Sequence, residues 1–126
     1  MLAPAPFIAF IPVTDVAVAR TFYESTLGLP VVEEGPFALV VSAHGTKIRI
    51  TPVPDFVPQP FTIAGWDVED VDATIAGLVS RGVVFNRYDG MEQRDNGAWE
   101  SPNGDLVAWF TDPFGNTLSL TSFLVS

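Results

Sequence analysis

The sequence predicts an α+β fold built from two copies of one βαβββ module. The four residues at 13–16 have a counterpart at 68–71, and each passage follows an apolar, strand-like run. Each passage also leads into a helical pattern that ends near a glycine, Gly28 or Gly82. A repeat of this size in a chain of 126 residues indicates two copies of one supersecondary unit. Two such halves can pair their sheets around a shared hollow, where a ligand would lie.

The first module begins with the apolar run 7–13, which predicts a strand covered on both faces. Asp15 then stands where a helix N-cap belongs, because its carboxylate can accept hydrogen bonds from the first turn. Apolar residues follow at helical spacing, and Gly28 is predicted to end the helix. His44-Gly45 is the turn of the last hairpin. The predicted strands after the helix are 31–33, 37–42 and 47–51.

A proline-rich connector is predicted between the modules. Four prolines between residues 52 and 60 exclude a helix or an inner strand there. The chain is therefore expected to form one domain, with module one at about 6–51 and module two at about 61–123.

The second module repeats the order of the first. A strand at 61–68 leads to a helix that Asp70 caps and Gly82 ends. Asn103-Gly104 and the segment 112–116 have the composition of turns. The strands predicted after this helix are 83–87, 98–101, 105–110 and 117–123.

Composition excludes several classes of function. The chain has no cysteine, so disulfides, thiolate metal sites and thiol nucleophiles are excluded. Fifteen acidic and six basic residues give a net charge of −9, which argues against binding to nucleic acid or to anionic membranes. The N-terminus lacks the basic region of a signal peptide and no apolar run has membrane-spanning length, so we expect a cytoplasmic protein. Nucleotide-binding glycine motifs do not occur.

Three stretches resemble the vicinal oxygen chelate superfamily, which contains glyoxalase I, extradiol dioxygenases and bleomycin-resistance proteins. They are 7–15 with the following helix, 62–73, and 108–120, of which the last is the most specific because Asp-Pro-Phe-Gly-Asn separates two strands. The resemblance implies an open, cup-like barrel of two modules, with helices on the convex side and a ligand site in the concave side. It also implies a homodimer, which the apolar content of 48% favours.

In metal-dependent members of that superfamily, histidines and glutamates of the strands bind the metal. Carried over to this chain, the two histidine positions fall at or beside Ile8 and Ile63, and the glutamate of the final strand falls at Ser119. Its counterpart in module one falls near Arg49 or Ile50. Divalent metals need converging oxygen or nitrogen donors, so we predict no metal and no other cofactor. A metal-dependent glyoxalase or dioxygenase mechanism is not expected.

Two residues are weak candidates for a catalytic role. Asp67 alternates with Ile63 towards the hollow, where a buried carboxylate could accept a proton; alternatively, it lies in solvent at a strand end. Arg49 can hold an anionic or carbonyl-bearing ligand through a forked hydrogen bond, or it alternates outwards with Lys47. His44, the only histidine, is expected to be an exposed turn residue.

Six residues are predicted to contact a ligand. Tyr88 and Trp99 flank a polar, glycine-rich segment, and such rings commonly clamp planar ligands; the alternative is a solvated loop with its aromatic residues in the core. Trp109 fits a cavity wall and the core equally well. A hydroxyl at Ser119 can bond a ligand but has no nearby base to make it a nucleophile. The full set is Tyr88, Trp99, Trp109, Ser119, Ile8 and Ile63.

These features favour a metal-independent protein that binds an apolar or aromatic small molecule in the concave cavity. The alternative is a lyase or isomerase of the same superfamily that acts on a small oxygenated substrate, probed most directly at Asp67 and Arg49. Fold alone does not decide between them, so it stays open whether the protein is an enzyme. The expected partners are a small-molecule ligand and a second copy of the chain, with neither nucleic acid nor membrane.

Overall fold

The computed structural model describes residues 1–36 and 38–124. The chain divides into two compact units, Met1–Val57 and Pro58–Ser126, and the boundary falls inside the proline-rich segment. Each unit contains one four-stranded mixed sheet and one helical segment between its first and second strands. The predicted α+β fold of two βαβββ modules is therefore confirmed. No helix in the described residues is long and apolar enough to cross a membrane.

In the first unit, the sheet order is β1-β4-β3-β2, with β1 parallel to β4 and the other pairs antiparallel. Asp15 caps the helix as predicted, because its Oδ1 accepts from the Val18 amide at 3.1 Å. The strand predicted at 37–42 begins at Leu39, and Phe37 lies outside the described residues. The elements are β1 (Ile8–Val13), α1 (Val16–Arg20), β2 (Val31–Glu34), β3 (Leu39–Ala43) and β4 (Thr46–Pro52).

The helix of the first unit does not stay regular. After α1, the chain continues as a π-helical segment, Thr21–Thr26, in which the Leu27 amide bonds the Phe22 carbonyl five residues back at 2.9 Å. Tyr23 is fully buried in this wider turn, and Phe22 packs edge-on against its ring. The segment ends at Gly28, whose φ of 76° is the left-handed conformation expected of a helix stop.

In the second unit, the sheet order is β5-β8-β7-β6, again with one parallel pair, β5 with β8. Asp70 caps α2 by accepting from the Ala73 amide at 3.0 Å. At the other end, Gly82 has a φ of 93° and the Val83 amide returns to the Leu78 carbonyl. The elements are β5 (Thr62–Asp67), α2 (Val71–Val79), β6 (Trp99–Glu100), β7 (Leu106–Thr111) and β8 (Thr117–Ser122).

The strand predicted at 83–87 is wrong, and all of these residues are described. Phe85 forms a single bridge with Phe110, near the end of β7. β6 pairs with Leu106 and Val107 at the other end of that edge, and between them the Asn86 amide donates to the Trp109 carbonyl at 2.7 Å. The alternating apolar pattern that predicted a strand reflects burial instead, because Val83 and Phe85 are only 7% and 8% exposed.

Candidate functional site

The second sheet is covered by α2 on one face. Alternate residues of β7 and β8, such as Phe110 and Leu118, are buried with Ile75 of α2. Side chains alternate between the faces of a strand, so Trp109 and Ser119 lie on the opposite face. We call the face of each sheet that lies opposite its own helix the helix-free face of that sheet.

Three aromatic side chains meet on the helix-free face of the second sheet. The ring of Tyr88 lies edge-on to Trp109 at a centroid distance of 5.6 Å and an angle of 87°. The ring of Trp99 lies 6.2 Å from that of Trp109 at 39°. These three residues, the aromatic cluster, were predicted as ligand contacts, Tyr88 and Trp99 from the two ends of one segment and Trp109 separately. The structure brings them together.

The hydroxyl of Ser119 lies next to the aromatic cluster. Trp109 pairs with Ser119 across β7 and β8, and Ser119 pairs with Gly65 across β8 and β5. A Cβ atom at residue 65 would overlap the Ser119 hydroxyl, so the glycine is what makes room for it. Within the described part of the chain, this hydroxyl forms no hydrogen bond, which leaves it free to bond a ligand.

Tyr88 is held in place by Gln93, a residue whose role the sequence did not predict. The Tyr88 amide donates to Gln93 Oε1 at 2.7 Å. Gln93 Nε2 donates in turn to the carbonyl oxygens of Asn86 at 2.9 Å and Gly97 at 2.8 Å. One side chain thus closes the loop between residues 86 and 97. A single glutamine in a polar loop carries no sequence pattern that could have revealed this.

Two arginines stabilise the same loop, one through bonds within it and one through ion pairs to the rest of the unit. Arg87 donates from Nη1 to the carbonyl oxygens of Arg94 and Asp95. Arg94 forms ion pairs with Asp72 of α2 and Glu100 of β6, both at 3.2 Å. The loop that carries Tyr88 is therefore bonded to α2 and to β6, while most of its residues are exposed to solvent.

The other predicted site residues of this unit lie on β5. Ile63 alternates with Gly65 and is 38% exposed. Asp67 is the last residue of β5 and is exposed. Its position agrees with the alternative interpretation, in which this carboxylate lies in solvent at a strand end. Trp66, between these two, stacks on Phe110 on the α2 side.

In the first unit, Ile8 and Arg49 lie on the helix-free face of the first sheet. Ile8 pairs with Lys47, and Phe10 pairs with Arg49. The alternate residue Ile48 is buried on the α1 side. Arg49 therefore alternates with Lys47, and both are exposed on the face that α1 does not cover. His44 is an exposed turn residue with a φ of 51°, as expected.

A cavity of about 440 Å³ lies on the α2 side of the second sheet, opposite the aromatic cluster. Its floor is apolar and includes Ile75, Val79 and Phe85. Of the charged residues that line it, Asp72 of α2 bonds Arg94 and Asn96, and Arg87 bonds carbonyl oxygens of the loop. Both side chains hold the loop in place, so we do not assign the cavity to the predicted ligand.

The fold and the repeat match known proteins. A family profile described as the glyoxalase/bleomycin resistance protein/dioxygenase superfamily matches residues 6–120. The chain belongs to this superfamily. No curated protein matches the sequence significantly.

Solved structures of the superfamily are similar over nearly the whole chain. A superfamily member from Sphaerobacter thermophilus is 23% identical with a TM-score of 0.75, covering 98% of this chain and 100% of that one. A glyoxalase/bleomycin resistance protein from a Streptomyces species is 26% identical with a TM-score of 0.68, covering 94% and 100%. A lactoylglutathione lyase from Agrobacterium tumefaciens is 15% identical with a TM-score of 0.72, covering 94% and 92%.

The metal-binding positions of the superfamily do not fit a metal in this member. Ile8 and Ile63 offer hydrocarbon only, Ser119 offers one hydroxyl, and Arg49 offers a cation. Among the described residues, no group of three or more acidic or histidine side chains is placed to hold a metal ion. We therefore derive no chemical step through a metal at these positions.

Proposed function

We propose that this superfamily member is a metal-independent binding protein for an apolar or aromatic small molecule, which lies against the aromatic cluster. The observation that carries the proposal is the meeting of Tyr88, Trp99 and Trp109 on a sheet face that α2 does not cover. Tyr88 remains 39% exposed although it packs against Trp109. The cluster is thus preformed and still accessible to a ligand.

A flat ligand gains from this arrangement in two ways. Aromatic pairs contribute roughly 0.5–1.5 kcal/mol beyond the area that they bury. The rings are also held in advance, because Gln93 fixes Tyr88 and the β7–β8 register fixes Trp109. A preformed surface loses less conformational entropy when a ligand binds.

A polar group of the ligand can be recognised beside the rings. The Ser119 hydroxyl occupies the space that a side chain at residue 65 would need, and it lies beside Trp109. It can donate to a carbonyl oxygen or accept from an N–H group. We propose that this hydroxyl orients the ligand and that the aromatic cluster supplies most of the affinity.

The first test is native mass spectrometry of the protein as purified from cells. A metal-free species, with or without an added organic mass, supports the proposal, and an added mass begins to identify the ligand. A stoichiometric divalent metal would contradict it.

The second test measures binding of 2-naphthylmethanol, a neutral planar probe, to two variants at one position. We expect Tyr88→Ala to weaken binding about tenfold, because a ring contact worth about 1.4 kcal/mol is lost. Tyr88→Phe keeps the ring and is expected to stay within about twofold of wild type. Equal affinities of wild type and Tyr88→Ala would place the probe elsewhere and overturn the proposal.

We also propose that two copies of the chain associate. Large apolar side chains are exposed in both units, including Phe7 at 74%, Phe61 at 60% and Val84 at 80%. Such side chains commonly mark a surface that another protein covers. Sedimentation at micromolar concentration should give twice the chain mass of 13.6 kDa, and a species of 13.6 kDa would refute the dimer.

A further inference from the structure

Lys47 and Arg49 stand apart from the other basic residues of this acidic chain. Arg20 and Arg94 each form two ion pairs, and Arg87 donates to backbone carbonyl oxygens. Lys47 and Arg49 form neither a hydrogen bond nor an ion pair within the described residues. The chain has fifteen acidic and six basic residues, so each basic residue has an excess of possible ion-pair partners. Two neighbouring cations without an acidic partner are therefore unexpected.

The two cations lie together on an inner strand. β4 is flanked by β1 and β3, so its helix-free side chains have neighbours on both sides. Lys47 and Arg49 are alternate residues of β4 and so project from one face, about 7 Å apart along the strand. Both are exposed. Their charged groups can therefore reach one bound anion.

Apolar side chains surround this pair of cations. Across the β1–β4 register, Ile8 stands beside Lys47 and Phe10 beside Arg49, with 45% and 64% of their surfaces exposed. On the other side, Val40 of β3 stands beside Arg49. The cations thus sit within a surface that an apolar skeleton can cover.

The nearest carboxylate in the strand register on this face is separated from the two cations by one intervening strand. Glu33 of β2 pairs with Val40, which separates it from Arg49 by two strand spacings, about 10 Å. No ion pair joins Glu33 to Arg49 among the described residues. The positive potential at Lys47 and Arg49 is therefore not neutralised locally.

We propose that the helix-free face of the first sheet is a binding site for an organic carboxylate. Arg49 and Lys47 hold the carboxylate group, and the apolar or aromatic skeleton of the acid lies on Phe10. A carboxylate fits because the planar guanidinium of arginine can donate to both of its oxygens at once. A monoanion is favoured over a dianionic phosphate ester, because the chain carries a net charge of −9.

All of the residues of this site belong to the first unit and none to the aromatic cluster. The two proposals can therefore fail separately. Tyr88→Ala tests the cluster with a neutral probe, and Arg49→Gln tests the carboxylate site with an anionic one.

The experiment measures the binding of three probes that share one ring system: 2-naphthoate, 2-naphthylmethanol and 2-naphthylmethylammonium. For wild type, we expect 2-naphthoate to bind more tightly than the cationic probe despite the net negative charge of the protein. Arg49→Gln should weaken 2-naphthoate about tenfold or more, because a charge-assisted hydrogen bond is lost. Lys47→Gln should weaken it less, since an ammonium group lacks the fork of a guanidinium. Neither change should alter the neutral probe.

Arg81→Gln is the matched control, because it removes the same charge from an exposed arginine of the second unit. It should leave the affinity for 2-naphthoate unchanged. Equal weakening by Arg81→Gln and Arg49→Gln would show a general charge effect and overturn the site. Tighter binding of 2-naphthyl phosphate than of 2-naphthoate would overturn the choice of a carboxylate.

Sedimentation of Arg49→Gln separates the carboxylate site from an interface between two copies. Unchanged mass together with weakened 2-naphthoate binding supports the site. A change of mass on substitution would mean that this face contacts a second copy of the chain, and the site would be withdrawn.

Discussion

The two units share a scaffold and differ on their helix-free faces. In each sheet, the first strand of the unit runs parallel to the last, and each helix is capped by an aspartate, Asp15 or Asp70. On the first sheet, this parallel strand pair carries two large side chains, Phe10 beside Arg49. On the second sheet, the corresponding parallel strand pair carries Gly65 beside Ser119.

The difference shows which part of the repeat is kept and which part varies. Side chains that face the helix are buried and apolar in both units, because each sheet must cover its helix to fold. Side chains on the helix-free face are not needed to bury the helix. The first unit therefore presents cations among apolar residues there, and the second unit presents a hydroxyl group beside aromatic rings. Binding functions fit the faces that folding leaves unconstrained.

The largest effect is expected at the turn between β7 and β8, which differs in burial from the turn between β3 and β4. Asp112 is 4% exposed, and its Oδ1 accepts from the amides of Phe114 and Asn116, both at 2.9 Å. Asp112→Ala should lower the free energy of unfolding by about 3 kcal/mol, since buried donors lose a charged acceptor. Urea unfolding measures this change.

The matched variant lies in the other unit. His44 is exposed in the two-residue turn before β4, with a φ of 51°. His44→Gly should change stability by less than about 0.5 kcal/mol, because glycine tolerates this conformation and no buried bond is lost. Equal losses in the two variants would show that burial does not distinguish the turns.

A second prediction concerns the side chains that the parallel strand pair of each sheet carries on its helix-free face. Gly65→Ala places a methyl group against the Ser119 hydroxyl and should cost about 2 kcal/mol in unfolding free energy through overpacking. Phe10→Ala removes a whole ring from a side chain that is 64% exposed and should cost less, about 1 kcal/mol or below. Adding one carbon at residue 65 is thus expected to lower the free energy of unfolding more than removing the ring of Phe10.

The double variant Gly65→Ala with Ser119→Ala tests the cause. Removing the hydroxyl relieves the closest overlap, so the pair should be more stable than Gly65→Ala alone. Strict additivity of the two single changes would refute the contact as the source of the loss.

Local features of the fold were predictable from the sequence. Both helix caps depend on an aspartate and the three residues after it, and both are confirmed. The hairpin at His44-Gly45 likewise depends on two residues that adopt positive φ angles. A short stretch of sequence contains all the information that these features require.

Features set by distant pairing were not predictable. Residues 83–87 look like a strand, but they form a single bridge with β7, between Phe85 and Phe110, while β6 pairs with the other end of that edge. The role of Gln93 depends on Asn86 and Gly97, which are brought to it by the loop itself. The aromatic residues of the site were predictable as candidates, because ring size and amphipathic character are visible in sequence. Their function stays a prediction.

A third prediction addresses the loops that precede the paired strands. In the first unit, only residues 27–30 separate the helical segment from β2, whereas in the second unit Gln93 closes a long loop between α2 and β6. Gln93→Ala should cost about 1 kcal/mol in unfolding free energy, because the three backbone groups it bonds can turn to water instead. It should also weaken 2-naphthylmethanol binding, since Tyr88 loses its fixed position.

Glu92→Ala, at the exposed neighbouring residue, is the control and should change neither property. Unchanged probe binding by Gln93→Ala would show that the hydrogen bonds do not position Tyr88 for a ligand.

The smallest effect on stability is expected from replacing the arginine that links the helix to the outer strand in each unit. Arg20 pairs with Glu24 and with Glu34 of β2, while Arg94 pairs with Asp72 of α2 and Glu100 of β6. Hydrogen bonds to Glu24 and then Glu34 raise the pKa of Arg20 above its ordinary value, so its charge persists at every pH at which the protein is handled.

All of these ion pairs are exposed, so solvent and salt screen them. Arg20→Gln should shift the urea midpoint slightly at low ionic strength and less at high ionic strength, with no dependence on pH between 6 and 9 because arginine stays protonated up to about pH 12. Arg94→Gln should lower the urea midpoint more than Arg20→Gln does, because Arg94 also holds the loop that positions Tyr88. Equal, salt-independent shifts for both arginines would mean that neither unit uses its ion pairs to fix the outer strand, and the contrast between the loops would then depend on Gln93 alone.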